Sequence, residues 1–380
     1  MIGVEGQYIF KFSLENEEDF IQEEDLAHFS LIEDAGGVLP TFELEFRILS
    51  DKTLLRLNEG NILKVSFGVN LESLQDSELI ISKLESSMAG DGKRTVLVKG
   101  FYNKLGYVSD PVIGISDKIS SFEEIKNVAG KHFKIISSGN SSEDSQNWIQ
   151  YNITDKAHIN NVFIHSNVSG SFPCMGITSV GEFIISDFKS ILSSQTPYRW
   201  RFCNGVEDKN KDIIYDPDSL LKDTSGIMNN WSGYGRSKLV YNKETGEEEN
   251  VTEDSKPLLS LSNVLHRRSD LKVRRDEISF KSENTHNNYW NAYLRNMNYL
   301  TTYSSTSLIL SFSNVFKNVK ILDLIFYKDD ETDSRKKHSS EAHVGLYLIT
   351  KVARTVTNRQ FITVVDINRE SFNQIKGDLR

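Results

Sequence analysis

Between Thr41 and Leu49 the apolar residues Phe42, Leu44, Phe46 and Ile48 alternate with Glu43, Glu45 and Arg47. A period of two sends one set of side chains to a core and the other to water, so this segment reads as a half-buried strand. Ile62–Phe67, Leu79–Leu84 and Thr95–Val98 read as further strands. The last two are joined across Ala89-Gly90-Asp91-Gly92, where glycine supplies the positive φ that a hairpin turn requires. The first hundred residues are therefore expected to form a small antiparallel sheet or barrel.

The C-terminal part repeats this arrangement. Leu348-Ile349-Thr350-Lys351-Val352 echoes Ile80-Ile81-Ser82-Lys83-Leu84. Each is followed by a polar turn and a β-branched run, Phe361–Ile367 in one case and Thr95–Val98 in the other. Upstream, Asn318–Phe326 stands where Asn61–Val69 stands in the first unit, and Leu308, Leu310 and Phe312 alternate as Phe42, Leu44 and Phe46 do. Order and spacing agree once a longer loop is allowed in the second copy, which points to an internal duplication.

Between the repeats, Phe101 to about Ile191 has an α+β pattern. Ser120 or Ser121 with Glu123 or Glu124 makes a capping box, Phe122, Ile125 and Val128 follow at helical spacing, and Gly130 ends the helix. A second helix is predicted from Asp155 to about Ser166, capped by Thr154, with Ile159, Val162 and Phe163 on one face. Phe172–Ile177 and Glu182–Asp187 flank a turn and read as a hairpin. Asn204–Asn288 is polar and has few periodic apolar residues, which is long for a bare loop, so it is either a functional extension or ordered by its neighbours. From Tyr289, the residues Trp290, Tyr293, Leu294 and Met297 predict an amphipathic helix leading into the second β unit.

The 380 residues are 38% hydrophobic and 26% charged, which fits a water-folding chain of two or three domains. No apolar run is long enough to span a membrane, and MIGVEGQYIF lacks the pattern of a secretory signal, so folding in a cytoplasm is expected. Charge is uneven. Residues 1–100 carry 9 Lys and Arg against 19 Asp and Glu, whereas residues 256–380 carry 20 against 13. Opposite signs at the two ends would complement each other within a chain or between copies. The basic stretch His266–Arg275 lacks interleaved aromatics and reads as a solvated loop.

Candidate chemistry is sparse. Cys174 and Cys203 match no zinc spacing and read as ordinary cysteines. The Asn-x-Ser/Thr triplets at Asn152, Asn167 and Asn250 carry little without a signal peptide, and Gly226, Gly233 and Gly235 lack the strand-turn-helix setting of a phosphate loop. His158 and His165, two helical turns apart, are too far separated to share a metal directly and read as structural histidines. Glu17, Glu18, Asp19, Glu23, Glu24 and Asp25 lack the spacing of a calcium loop and read as a solvated acidic face. No catalytic, cofactor-binding or metal-ligating residue is assigned, and no cofactor is expected.

Three stretches, taken in order, resemble the baseplate hub proteins of bacteriophage tails, a family that includes the base of the type VI secretion spike. The first is Val96-Leu97-Val98-Lys99-Gly100-Phe101-Tyr102-Asn103-Lys104-Leu105, similar to the passage out of the family's first barrel. The second runs from Gln150-Tyr151-Asn152-Ile153-Thr154-Asp155 through the following helix to Phe183-Ile184-Ile185-Ser186-Asp187, similar to the inserted α/β domain. The third is the helix at Tyr289 with Leu346–Val352, similar to the second barrel. One departure is Lys156, where the family often carries an aromatic.

The resemblance implies a mainly β chain with two similar tail-tube-like antiparallel β-barrels and an inserted α/β domain. The expected divisions are a first barrel over 1–105, the insertion over 106–200, a polar extension of unassigned fold over 201–288, and a helix with the second barrel over 289–380. It further implies a non-enzymatic homotrimer in the baseplate at the tail tip of a virion. Its expected partners are the tail tube protein, a central spike and other baseplate proteins, with DNA passing through a polar, non-basic channel without being bound. The competing expectation from another class is a virion-associated β protein that binds carbohydrate or hydrolyses cell wall.

Overall fold

The computed structural model describes residues 2–4, 8–14, 17–18, 21, 24–48, 57–68, 71–88, 92–138, 142–202, 213–214, 220–223, 235–242, 245–254, 274–281, 284–303, 306–313, 319–329, 345–357 and 360–369. The N-terminal unit contains β1 (Ile2–Val4), β2 (Tyr8–Leu14), β3 (Glu17–Glu18), β4 (Leu26–Asp34), β5 (Thr41–Ile48), β6 (Ile62–Gly68), β7 (Gln75–Met88) and β8 (Arg94–Tyr102). Its sheet order is β1-β2-β6-β7-β8-β5-β4, with β3 on β2, and all of these neighbours are antiparallel. The alternation anticipated from Phe42 to Ile48 holds: Phe42, Leu44, Phe46 and Ile48 are buried. They join Phe10, Phe12, Phe29 and Phe67 in one core, where aromatic rings lie 5.0–6.3 Å apart. The β7–β8 hairpin also holds, though its turn residues 89–91 lie outside the described residues.

Next come α1 (Leu105–Ser109), β9 (Pro111–Ile119), α2 (Ser121–Ala129), β10 (Lys134–Ser137), β11 (Gln146–Thr154), α3 (Asp155–Ile164), β12 (Pro173–Ile177), β13 (Glu182–Asp187) and α4 (Phe188–Ser194). The helix starts follow the sequence signals. Ser120 and Glu123 form the full reciprocal capping box of α2, and Thr154 accepts from the Ala157 amide at 3.2 Å to cap α3. Strands β10, β13 and β12 form one sheet, and β9 and β11 form a separate two-stranded ribbon. Phe122, Ile125, Trp148, Ile159, Val162 and Phe183 share the core beneath them.

Strands β14 (Tyr198–Phe202), β15 (Ile213–Ile214) and β16 (Leu220–Asp223) return to the main sheet. Strands β17 (Gly235–Asn242), β18 (Glu248–Asp254) and β19 (Arg274–Lys281) make a three-stranded sheet in the order β18-β17-β19. The polar segment that gave no periodic signal thus contributes strands. The three-stranded sheet packs Val240 and Val251 against Leu294 of α5 (Tyr289–Tyr303), and Glu253 accepts from Asn291 at 3.1 Å and, through its carbonyl, from Asn298 at 3.0 Å. The second unit follows with β20 (Thr306–Ser313), β21 (Leu324–Asp329), β22 (Gly345–Thr357) and β23 (Gln360–Arg369).

Four strands of each unit repeat the same order, while the flanking β2 runs antiparallel to β6 and β14 parallel to β21. The first pairs in the order β6-β7-β8-β5 and the second in the order β21-β22-β23-β20. A register shift interrupts β7 between Ile81 and Lys83, and the same shift interrupts β22 between Ile349 and Lys351. The extra residue is Ser82 in one and Thr350 in the other, and each hydroxyl donates 3.2 Å to the carbonyl opposite, Lys99 or Asp366. Just before the bulge, the Gly60 amide donates to Ile81 O at 2.8 Å and the Ile81 amide to Asn61 O at 3.0 Å. In the second unit Leu322 and Asp323 take those places around Ile349, at 2.8 and 2.9 Å. Gly60 has φ of 92° and Leu322 has φ of 69°. A left-handed residue at the same position, once as glycine and once as leucine, is a backbone requirement of the bulged turn.

This register confirms the match of Phe42, Leu44 and Phe46 with Leu308, Leu310 and Phe312, since Phe42 lies opposite Gly100 and Leu308 lies opposite Ile367, at equivalent sites. It corrects one alignment. Asn61 corresponds to Asp323 and not to Asn318, because the left-handed residue sets the start of the strand and the extra residues of the second copy lie before it. The units share a continuous sheet. The first half of β22 pairs with β21, and its second half crosses to pair Lys351–Thr357 with Asp34–His28 of β4. The shared sheet curls into a half-barrel, and Val356 and Phe361 of the second unit enter the first unit's core.

Candidate assembly surfaces

The β4–β22 joint is held by a buried ion pair. Glu33 and Arg354 lie 3.4 Å apart with side chains 3% and 4% exposed. The Glu33 carboxylate also accepts from the Ser179 amide at 2.8 Å and its hydroxyl at 2.5 Å, while Arg354 donates to Val319 O at 2.8 Å and lies over the Phe67 ring. One node therefore ties the first unit, the inserted segment and the second unit together. The two charges compensate each other and each makes further hydrogen bonds, although Glu33 Oε2 and Arg354 Nε and Nη1 have no hydrogen-bond partner. Sequence reasoning missed it, although a charged Arg354 between Ala353 and Val356 in an apolar strand was a usable signal. Around the node, His28 and Thr357 contact at 2.8 Å, Ser30 and Thr355 at 3.2 Å, and Lys351 and Asp34 at 3.8 Å.

Beside the joint lies a cleft of 630 Å³ lined by Asp34, Gly36, Asn160, Cys174, Leu348 and Asn368, among others. Cys174 is a buried free cysteine, and burial holds its thiol well above the usual range, so it is protonated and unreactive. Cys203 lies outside the described residues.

The histidines singled out in the sequence are structural. His158 is buried and bonded to Glu124 at 2.6 Å, joining α3 to α2. His165 caps α3, donates to Asn161 O at 2.8 Å and stacks on Tyr289 at 3.9 Å, joining the inserted segment to α5. Burial lowers its pKa to about 4, so the ring is neutral. His132, which the sequence did not flag, bonds Asp155 at 2.7 Å, and Gln150 donates to the same carboxylate at 2.9 Å. Among the described residues, no group of three His, Cys, Asp or Glu side chains is placed to hold a metal. Of the acidic cluster, Asp25 pairs with Lys93 at 3.5 Å, while Asp19 and Glu23 lie outside the described residues, as do Gly226, Gly233 and positions 266–273 of the basic stretch.

Two surfaces remain exposed where interior would be expected. On the β9–β11 ribbon, Ile113 pairs across from Tyr151 and Ile115 from Ile149, and all four are at least half exposed. Neighbouring exposed apolar side chains of this kind make the ribbon a candidate contact surface. The second is the far half of β7. Lys351–Thr357 of β22 pairs along its outer edge with β4, but the equivalent stretch Lys83–Met88 has no strand beside its outer edge among the described residues, and Met88 is 65% exposed.

No protein-family model and no curated protein matches the sequence. Solved structures do. A tail protein from Neisseria meningitidis MC58 superposes with a TM-score of 0.60 over 96% of this chain and 97% of its own, at 10% identity. The two chains share one fold. The 43 kDa tail protein of prophage MuSo2 from Shewanella oneidensis gives a TM-score of 0.60 over 95% of this chain and 98% of its own, at 11% identity. A chain of the Francisella PdpA–VgrG complex gives 0.50 over 98% of this chain and 55% of its own, at 8% identity. The tail-protein fold thus extends over nearly the whole chain, and the mainly β architecture expected from the sequence holds.

Proposed function

We propose that this protein is the structural hub of a phage-type tail tip. Three copies form a ring of six similar sheet units that joins a hexameric tail tube on one side to a threefold spike on the other, with a central channel through which DNA passes. Within each copy, 1–105 and 289–380 act as the two ring units, 106–200 is the insertion between them, and 201–288 is the extension. The ring acts as a scaffold without chemistry of its own, in the baseplate of the virion, and the apolar ribbon at Ile113 and Tyr151 offers a face to another baseplate component.

The observation that carries this reading is the residue-for-residue repeat of the bulged β unit within one chain, including the left-handed residue at Gly60 and Leu322. Two similar units side by side are what allow a threefold assembly to present sixfold contacts. Co-expression with the neighbouring tube and spike proteins tests it. A complex with three copies of this chain per spike trimer is expected, and a strongly basic channel lining or a stable complex of any other stoichiometry would refute it.

A further inference from the structure

We infer that the seam joining α5 and the sheet of β17, β18 and β19 to the inserted segment is an acid-sensitive latch. Two imidazoles, His165 and His286, hold it closed while neutral and release it when protonated, and the two repeated units stay folded. His165 sits at the centre of the seam. It is 6% exposed, and its ring stacks on Tyr289 at 3.9 Å and Tyr293 at 5.2 Å and meets Trp290 edge-on at 5.7 Å. Three aromatic side chains of α5 therefore rest on one imidazole. His286, just before α5, donates from Nε2 to the His165 carbonyl at 3.1 Å and from its amide to Gln146 Oε1 at 3.0 Å. Further ties run from Asn296 to Ile164 O and Ser166 O at 2.9 and 2.8 Å, and from Arg295 to Asn167 Oδ1 at 2.8 Å. Because Val240 of β17 and Val251 of β18 pack on Leu294, α5 carries the sheet with it.

A second proton has no place in the closed seam. Nδ1 of His165 donates to Asn161 O at 2.8 Å, so the added proton goes to Nε2, which is buried and has no hydrogen-bond partner. The result is a buried charged donor with nothing to accept it, which opposes protonation. The surrounding charges add to the penalty. Lys238 of β17, held 4.6 Å from the ring centroids of both Trp290 and Tyr293, acts on His165 with like charge, as does His286 once protonated. Arg295 of α5 acts in the same sense on His286.

The carboxylates nearby are Glu143 and Asp144, ahead of β11, and Glu253 of β18. Asp144 accepts from the amide and hydroxyl of Ser121 and from the Asn167 amide at 2.6 to 2.7 Å, and it favours the charged form of His286 without outweighing burial. Glu143 and Glu253 act on Arg295.

The sign of the response follows. Burial holds the His165 pKa down to about 4 and lowers that of His286, whereas on release both return toward 6.5, so the open seam binds more protons than the closed one. Closure is fully favoured above pH ~6.5 and weakens as pH falls toward 4. From His165 alone, the ratio of open to closed seam rises about twentyfold between pH 7 and pH 5.

Hydrogen exchange of the full chain, read by mass spectrometry at pH 7 and pH 5 and corrected for the intrinsic pH dependence of amide exchange, tests the latch without needing a ring or a partner. Amides of residues 162–168 and 289–297 should lose about twentyfold in protection, while those of β5 and β8 change by less than about twofold. His165→Phe keeps an aromatic ring against α5 and removes the titrating nitrogens, so its loss over 289–297 should fall below about fivefold. Lys238→Met leaves His165 in place, keeps an apolar stem over the two rings and removes the neighbouring cation, and should reduce the response at least about twofold. Unchanged protection over 289–297 in the parent chain, or an undiminished loss in both variants, overturns the latch. An equal loss in β5 and β8 overturns it too, because the whole chain is then unfolding.

Discussion

Removing Arg354 tests the physical basis of the internal joint. Arg354→Met keeps much of the apolar stem and deletes the guanidinium, leaving the Glu33 carboxylate 3% exposed with only the two Ser179 donors. Breaking a buried pair from one side costs about 3–5 kcal/mol, because the remaining charge stays buried without compensation. Val319 O also loses its donor, for about 1 kcal/mol more. Glu33→Gln keeps the acceptor for Ser179 and removes the charge, so the double variant should recover a large part of the loss, with a coupling of at least about 2 kcal/mol in the cycle. Urea unfolding followed by tryptophan fluorescence gives all four stabilities. A loss below about 1 kcal/mol for Arg354→Met, or a coupling near zero, would refute the claim that this ion pair holds the units together.

Other substitutions probe the remaining parts of the account. His165, with a folded pKa of about 4 against an ordinary value near 6.5, contributes stability that is fully present above pH ~6.5 and declines by about 3 kcal/mol as pH falls toward 4, because only the unfolded chain takes up the proton. His165→Phe should flatten that decline in unfolding midpoints measured between pH 7 and 4. A Cβ at Gly100 would stand 1.9 Å from Ile80 O and 2.6 Å from the Phe42 ring, so Gly100→Ala should cost about 1–3 kcal/mol, read from the thermal midpoint. Phe361→Ala empties a buried site in the first unit's core, and about 3–5 kcal/mol should be lost on chemical unfolding. Ile115→Ser with Tyr151→Ser should change the unfolding free energy by no more than about 0.5 kcal/mol while lowering binding of a hydrophobic dye.

Much of the fold is legible in the sequence, because local rules and tertiary structure agree there. Strands such as Thr41–Ile48 bury every second residue, and α2 and α3 begin where Ser120 and Thr154 cap them. The duplication was visible at Lys83 and Lys351 because the bulge constrains both copies to the same short pattern. It was misaligned at Asn318 because the signal there is a backbone angle, carried by glycine in one copy and by leucine in the other. The strands at Leu220–Asp223 and Gly235–Asn242 were hidden, since they are ordered by pairing with β20 and by packing against α5 and not by a periodicity of their own. Contacts such as Glu33 with Arg354 span 321 positions and leave only one trace, a charge inside an apolar run.

The most direct test is a cryo-EM reconstruction of the tail tip containing this chain. A threefold ring is predicted, with six sheet units alternating between the two repeats. A twofold or monomeric arrangement, or a ring in which the stretches around Lys83 and Lys351 face different environments, would contradict it.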